Sequence, residues 1–338
     1  MSEQLTNDFS TYWIYFQALI SGINIYDFSA VQAFAKSLDM SLTGPSYFGP
    51  WVLPLLAPVL CWSLETSFFL HFCLNICLVF ASSNLLISLY PEAKRSQLFN
   101  FLLALSFCPV AFTILIGQHS IFILFGILLA LTGIQDDNSL KTALGLVLAS
   151  IKFHLVYLLW PLFFLYLIQS KQIKAILYFG LILISLLLIT EAYYQGSTNY
   201  WISNSSDALK WKGASLITIL RLILGDLSNN HAAYLGILIP LIVLILFFPL
   251  YRNNLNKKSI IRLCPRLLVL SLITTPYVWL FDFCLGLPLF MLSLNRGYFT
   301  GFLINLLGLL CLSIGIVDYR MFWFPLAILC TRTTAKER

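Results

Sequence analysis

The chain has 338 residues, 59% of them hydrophobic and only 10% charged, with a mean hydropathy of +0.87. Soluble domains carry about 25% charged residues, so the composition excludes a soluble globular domain and predicts an all-α polytopic membrane protein. The net charge of +6 comes from basic residues scattered singly or in pairs. That pattern argues against a nucleic-acid partner and fits cytoplasmic loops.

Residues 1–47 are polar, aromatic and acidic, in contrast to the greasy remainder. FGPWVLPLLAPVLCW (48–62) follows, apolar but broken by Pro50, Pro54 and Pro58. Proline removes a backbone donor and kinks a helix, so this piece reads as a short or re-entrant segment. A membrane helix is predicted over 66–89, since about 20 apolar residues cross the hydrocarbon. Further spans are expected at 98–116 and 120–134. The run 140–168 is too long for one span and carries Lys152 and His154; it predicts two helices meeting near those residues. Then come 173–190, 231–250, 264–277, 283–294, 298–316 and 321–331. The total is about 9–11 spans, forming one integral-membrane domain: an outer-face loop 1–47, a bundle 48–332 and a cytoplasmic tail 333–338. Alternating ten-residue strands are missing, which argues against a barrel.

Charge placement orients this threading. With 1–47 outside, Lys94, Arg95, Lys141, Lys171, Lys174, the basic loop 251–266, Arg296 and the carboxyl-terminal cations fall inside. That is fourteen of the 20 Lys and Arg, the bias that the positive-inside rule requires. The outer side then collects Asp8, Asp27, His119, Lys152, His154, Glu191, Arg221, His231 and Asp282. The expected location is the cytoplasmic (inner) membrane, multi-pass, with the site on the extracytoplasmic face. The eight cysteines lie mostly in apolar runs and read as packing residues. Gly301, Gly308 and Gly315 recur every seven residues and read as a helix-packing seam.

Six stretches occur in order: NDFSTYWIYFQALISGINIYDF, SYFGPWVLPLLAP, GQHSIFILFGILLAL, ALGLVLASIKFHLVYLLWPLFF, GASLITILRLILG and TTPYVWLFDFCLGLP. Together, over roughly residues 7–295, they resemble glycosyltransferase family 87, a branch of the GT-C membrane glycosyltransferases. The resemblance implies a GT-C-like bundle with a partly helical outer loop. It also implies an inverting hexosyl- or pentosyltransferase whose donor is a polyprenyl-phosphate sugar. The acceptor would be a glycolipid, glycan or protein. Family members open with a membrane helix ahead of D-F-x-x-Y; none precedes Asp8 here, so 1–47 is expected to reach the outer side unaided, on its own acidic surplus. By match to D-F-x-x-Y, the catalytic base is Asp8, with Asp27 as the alternate.

The residue types suit that chemistry. A general base must take the acceptor hydroxyl proton as the anomeric carbon is attacked. Partial desolvation and a like-charged donor phosphate both make a carboxylate a better base. The structural alternative is that Asp8 merely caps a helix. A leaving lipid phosphate needs cations or donors facing it. Lys152 leads, because a lysine inside an aliphatic helix faces a cavity or a partner, or else snorkels. Arg221, Gln118, His119, His154 and Asp282 are the further phosphate- or substrate-binding candidates. Asp282 has a structural alternative too, as ion-pair partner of Lys152 or Arg221. Tyr12, Trp13, Tyr26 and Trp51 either line a sugar groove or form an interfacial aromatic belt.

No metal or cofactor is expected: Asp136-Asp137 falls in an inside loop, and neither a phosphate-binding loop nor a dinucleotide fingerprint is present. The competing readings are a transporter or flippase of lipid-linked intermediates and an inactive, truncated homologue. Transporters tend to carry repeats and matching broken helices, which this sequence lacks.

Overall fold

Seventeen α-helices and several 3-10 turns make up the described part of the computed structural model, which covers residues 8–42, 44–45, 47–91, 96–224, 229–252, 255–295 and 299–331. No strand occurs among the described residues. The first two helices are α1 (Asp8–Ile20) and α2 (Phe28–Ser37). Asp8 sits in the first turn of α1, where a carboxylate suits the positive end of the helix dipole. Far from a loose loop, α1 buries Phe9, Ile14, Tyr15 and Leu19 against α3 (Val52–Leu60), α4 (Leu64–Leu89) and α10 (Ile173–Tyr193). As expected, α3 is short; nine residues give about 13 Å.

α4 begins at Ser63, whose hydroxyl accepts from the Thr66 amide. Next come α5 (Gln97–Ser106) and α6 (Cys108–Ile116). The single span expected over 98–116 is therefore two helices, bent by 72°. The break falls at Phe107, which is extended, with Pro109 at the start of α6. It is held by a residue two hundred positions away. Asn305 accepts from the Cys108 amide at 2.7 Å and donates to the Ser106 carbonyl at 2.8 Å, so neither backbone group is left bare in an apolar setting.

α7 (Ser120–Gln135) and α8 (Ser139–Ala149) form the central hairpin. Thirteen of the sixteen residues of α7 are buried, as a helix apolar all round must be. Gly126 faces the Gly145 carbonyl so closely that a Cβ there would lie 2.7 Å from it; small residues let helices in lipid approach this far. A 3-10 turn (Ser150–Val156) and α9 (Leu159–Gln169) follow. The predicted break in 140–168 is thus present, and Lys152 is its non-helical residue, at φ −128, ψ 72.

The remaining helices are α11 (Ser197–Asn204), α12 (Leu216–Ile223), α13 (Asn229–Arg252), α14 (Lys257–Thr274), α15 (Leu287–Asn295), α16 (Phe299–Ser313) and α17 (Trp323–Leu329). α14 starts seven residues ahead of expectation, so most of the basic loop 251–266 is helix. Asn256 caps it, accepting from the Ser259 amide at 2.9 Å. Lys258, Arg262 and Arg266 form an exposed row with four-residue spacing, while Ile260 and Cys264 point into the core. The two faces average out, which hides the helix from a hydropathy reading.

Among the described residues, three helices are long and apolar enough to cross a membrane alone: α4, α8 with its 3-10 turn, and α10. The bent α5–α6 pair makes a fourth, and five shorter apolar helices accompany them. The expected 9–11 spans are therefore not matched one for one by long helices; the bundle is built from shorter, broken pieces. Gly301 and Gly308 do pack closely, against Ser293 and Phe324, but Gly315 ends α16 in a left-handed turn with open space around it. All eight cysteines are free thiols. The tail 333–338, with Lys94, Arg95, Arg296 and Arg332, lies outside the described residues, as does the His231 side chain.

The helix α7 relates the two ends of the molecule. At its far end Lys257 pairs with Asp137 at 2.6 Å and reaches the Gln135 carbonyl; Lys141 pairs with Asp136 at 2.8 Å, and Gln172 donates to Asp137. These are residues that the charge rule groups on one side. The near end, about 24 Å away by helix rise, opens on a cavity.

Candidate active site

Gly117 ends α6 at φ 74, a left-handed conformation that glycine adopts without a Cβ penalty. A Cβ on it would also lie 2.5 Å from the Cβ of Phe9. This close approach brings α1 against the 117–119 turn, and so Gln118 against Asp8. The Gln118 side-chain amide donates to Asp8 Oδ2 at 2.8 Å. Its carbonyl Oε1 accepts from Lys152 Nζ at 3.0 Å and from the Tyr12 hydroxyl at 3.2 Å. Lys152 in turn donates to Ser120 Oγ at 3.3 Å and to Asp282 Oδ1 at 2.8 Å. Asp282 is buried and also accepts from Ser120 Oγ at 2.6 Å and from the Trp279 backbone amide at 3.0 Å. An unbroken hydrogen-bonded chain thus runs Asp8–Gln118–Lys152–Asp282, drawn from four separate stretches of sequence.

The supporting contacts come from the other conspicuous motifs. Trp51, in the proline-rich segment, donates to the Ser150 carbonyl at 3.3 Å, at the α8 break. Thr275 donates to the His154 carbonyl at 3.1 Å, and Thr113 to the Phe281 carbonyl at 2.8 Å. Gly213 lies against the Val278 backbone, leaving no room for a side chain, and the Ala214 amide donates to the Val278 carbonyl at 2.7 Å. Backbone groups freed by the broken helices are in this way satisfied within the protein, as the apolar setting demands.

The chain of bonds forms one wall of a cavity of about 890 Å³, within the size range of small-molecule sites. Asp8, Tyr12, Gln118, Lys152, His154 and Asp282 all line it. The lining is also aromatic and, among the described residues, contains a second cation: Trp211 meets Tyr277 at 5.0 Å and Tyr47 at 5.2 Å, and Lys212 follows it.

The model of glycosyltransferase family 87 matches residues 47–276. The chain belongs to glycosyltransferase family 87. No curated protein and no solved structure matches it. As a member of this family the chain is a membrane glycosyltransferase. The matched stretch carries Gln118 and Lys152, whereas Asp8 and Asp282 lie on either side of it.

Several candidates stand elsewhere in this glycosyltransferase. Asp27 is exposed and caps α2, accepting from the Ser29 and Ala30 amides and the Ser29 hydroxyl; it does not line the cavity. Those hydrogen bonds, the Ser29 hydroxyl first, hold its carboxyl below the usual range. Arg221 is buried on α12, with Nη1 3.4 Å from the Trp211 carbonyl, and is not part of the cavity lining. His119 is fully buried, packed against Tyr12 at 4.1 Å and His71 at 4.7 Å. Neither of its ring nitrogens reaches a partner among the described residues, and it does not line the cavity. His154 packs against Tyr277, the rings tilted and their centroids 4.3 Å apart. Of the four aromatics, Tyr12 and Trp51 line the cavity. Trp13 bonds to the Trp62 carbonyl and Tyr26 to that of Phe48 instead. Sequence reasoning missed Ser120, Trp279 and Lys212. Ser120 adjoins the Gly-Gln-His turn, which was a signal; a lone lysine after a tryptophan in a loop carries none. Among the described residues no three His, Cys, Asp or Glu side chains gather in a metal-binding group.

Proposed function

We propose that the enzyme moves a sugar from a polyprenyl-phosphate donor to a hydroxyl of a glycolipid, glycan or protein acceptor, with Asp8 as general base. The acceptor oxygen attacks the anomeric carbon and Asp8 takes its proton. The bond from that carbon to the phosphate oxygen breaks, and the lipid phosphate leaves with the electron pair, giving inversion. A departing phosphate requires a positive surrounding, and among the described residues Lys152 and Lys212 bring positive charge to the cavity lining.

The observation that carries this reading is Asp8 on the cavity wall, held by Gln118 at 2.8 Å in the same network as a half-buried lysine. Family membership supplies the reaction class. The side is proposed from charge: the end of α7 away from the cavity gathers Lys141 and Lys257, which supports a cytosolic position for that end and an outer-face position for the cavity.

The test is transfer from a labelled polyprenyl-phosphate sugar in membranes, comparing wild type with Asp8→Asn. The substitution is expected to abolish transfer while the protein still inserts. Full activity in Asp8→Asn removes Asp8 as the base, and transfer from nucleotide sugars alone removes the donor class.

A further inference from the structure

Both ends of the Gln118 amide are engaged. An ammonium group has three hydrogens and accepts nothing, so Lys152 can meet only the carbonyl end of Gln118. The Tyr12 hydroxyl is directed to that same oxygen. The amide nitrogen is thereby turned toward Asp8, and the residue cannot flip without setting its NH2 group against an ammonium. Lys152 itself is fully committed: its three hydrogens match three acceptors, Gln118, Ser120 and Asp282, and the Phe281 ring lies 4.4 Å from its nitrogen. Its charge is met by a carboxylate only 1% exposed. A phosphate that drew Lys152 away would leave that carboxylate buried and unpaired, which is strongly unfavourable.

We propose that Lys152, backed by Asp282, is a positioning residue: it orients Gln118, and Gln118 holds Asp8 at the cavity wall. This assignment rests on the reading above, with Asp8 as the base of a polyprenyl-phosphate-dependent transfer.

The experiment uses the full chain and a labelled polyprenyl-phosphate sugar. Two changes are compared with wild type: Gln118→Glu and the paired replacement Lys152→Met with Asp282→Leu. Gln118→Glu keeps an acceptor for Lys152 and loses the donor to Asp8. The paired replacement removes the ion pair as a unit, so no charge is stranded. Gln118→Glu and the paired replacement are each expected to lower kcat about 10- to 100-fold with donor KM within about two-fold. Combining them should lose little more than the worse of the two, because they break one linkage.

A paired replacement that raises donor KM and spares kcat makes Lys152 the phosphate grip and overturns the proposal. Losses that multiply, or full kcat in Gln118→Glu, overturn it as well. Should the paired replacement fail to fold, Gln118→Glu and Gln118→Leu decide the matter by the same split. Melting of the purified variants in detergent separates this inference from the donor reading. If wild type transfers nothing from polyprenyl-phosphate sugars, that reading falls. Melting shifts that are less than additive then still support the linkage, and strictly additive shifts refute it.

Discussion

Replacing Gly117 with alanine tests the packing that builds the site. Two costs are expected. The left-handed backbone at φ 74 penalises a Cβ by about 1–2 kcal/mol. The new methyl would lie 2.5 Å from the Phe9 Cβ, and overpacking of this kind costs about 1–3 kcal/mol. The total is ~2–5 kcal/mol. Gly22 provides the control: it has the same φ of 74 with nothing within 4 Å, so Gly22→Ala should cost only the backbone part, ~1–2 kcal/mol. Relieving the contact at Gly117 to ordinary van der Waals distance means moving Phe9 by roughly 1 Å. Asp8 adjoins Phe9, and its bond to Gln118 is 2.8 Å; a shift of that size takes it beyond hydrogen-bonding distance. A misplacement of about 1 Å can cost on the order of 100-fold in rate. Thermal melting in detergent and initial-rate transfer assays are to be run on both variants. If Gly117→Ala melts no lower than Gly22→Ala, or turns over at the wild-type rate, the close approach of α1 does not position Asp8.

Asn305→Leu should destabilise the fold by about 1–3 kcal/mol, since it strands the buried Cys108 amide, whereas Asn305→Asp, which keeps an acceptor for Cys108, should cost less; equal melting points would show that the α5–α6 break does not depend on this side chain. Lys152→Met alone should destabilise by about 3–5 kcal/mol, because it leaves Asp282 buried without a cation. Adding Asp282→Leu should recover most of that loss, and a double variant less stable than the single would contradict the ion-pair argument. The Asp27 cap should respond to pH. Its folded-state carboxyl is held below the ordinary value by the Ser29 hydroxyl and neighbouring amides, so its stabilisation is complete above about pH 4 and fades as pH falls through the lower folded value. The melting difference between wild type and Asp27→Ala should therefore shrink at pH 3 relative to pH 7, and an unchanged difference would show that the cap acts without its charge.

The broken architecture was partly legible in the sequence. Lys152 and His154 interrupt an aliphatic run, and a buried cation without a local partner marks a break or a cavity. The bend at Phe107 was not legible. Pro109 alone is compatible with a continuing helix start, and the group that makes the break tolerable, Asn305, lies on α16. The start of α14 was obscured because its basic and apolar faces cancel in a hydropathy window.

Composition, charge asymmetry and motif order determined the membrane class, the family and four of the residues that meet in the cavity: Asp8, Gln118, Lys152 and Asp282. They did so because desolvating a charged or amide side chain inside an apolar chain is expensive, and such a residue stands out against its neighbours. Tertiary structure alone decided how the four are joined, since Asp8 and Gln118 are 110 positions apart and Lys152 and Asp282 are 130 apart. It also decided that Asp27, His119 and Arg221 stand away from the cavity. Periodicity reports which face of a helix is buried. It says nothing of which helix that face meets, and that is governed by non-local close packing at glycines such as Gly117 and by the requirement that buried polar groups find partners.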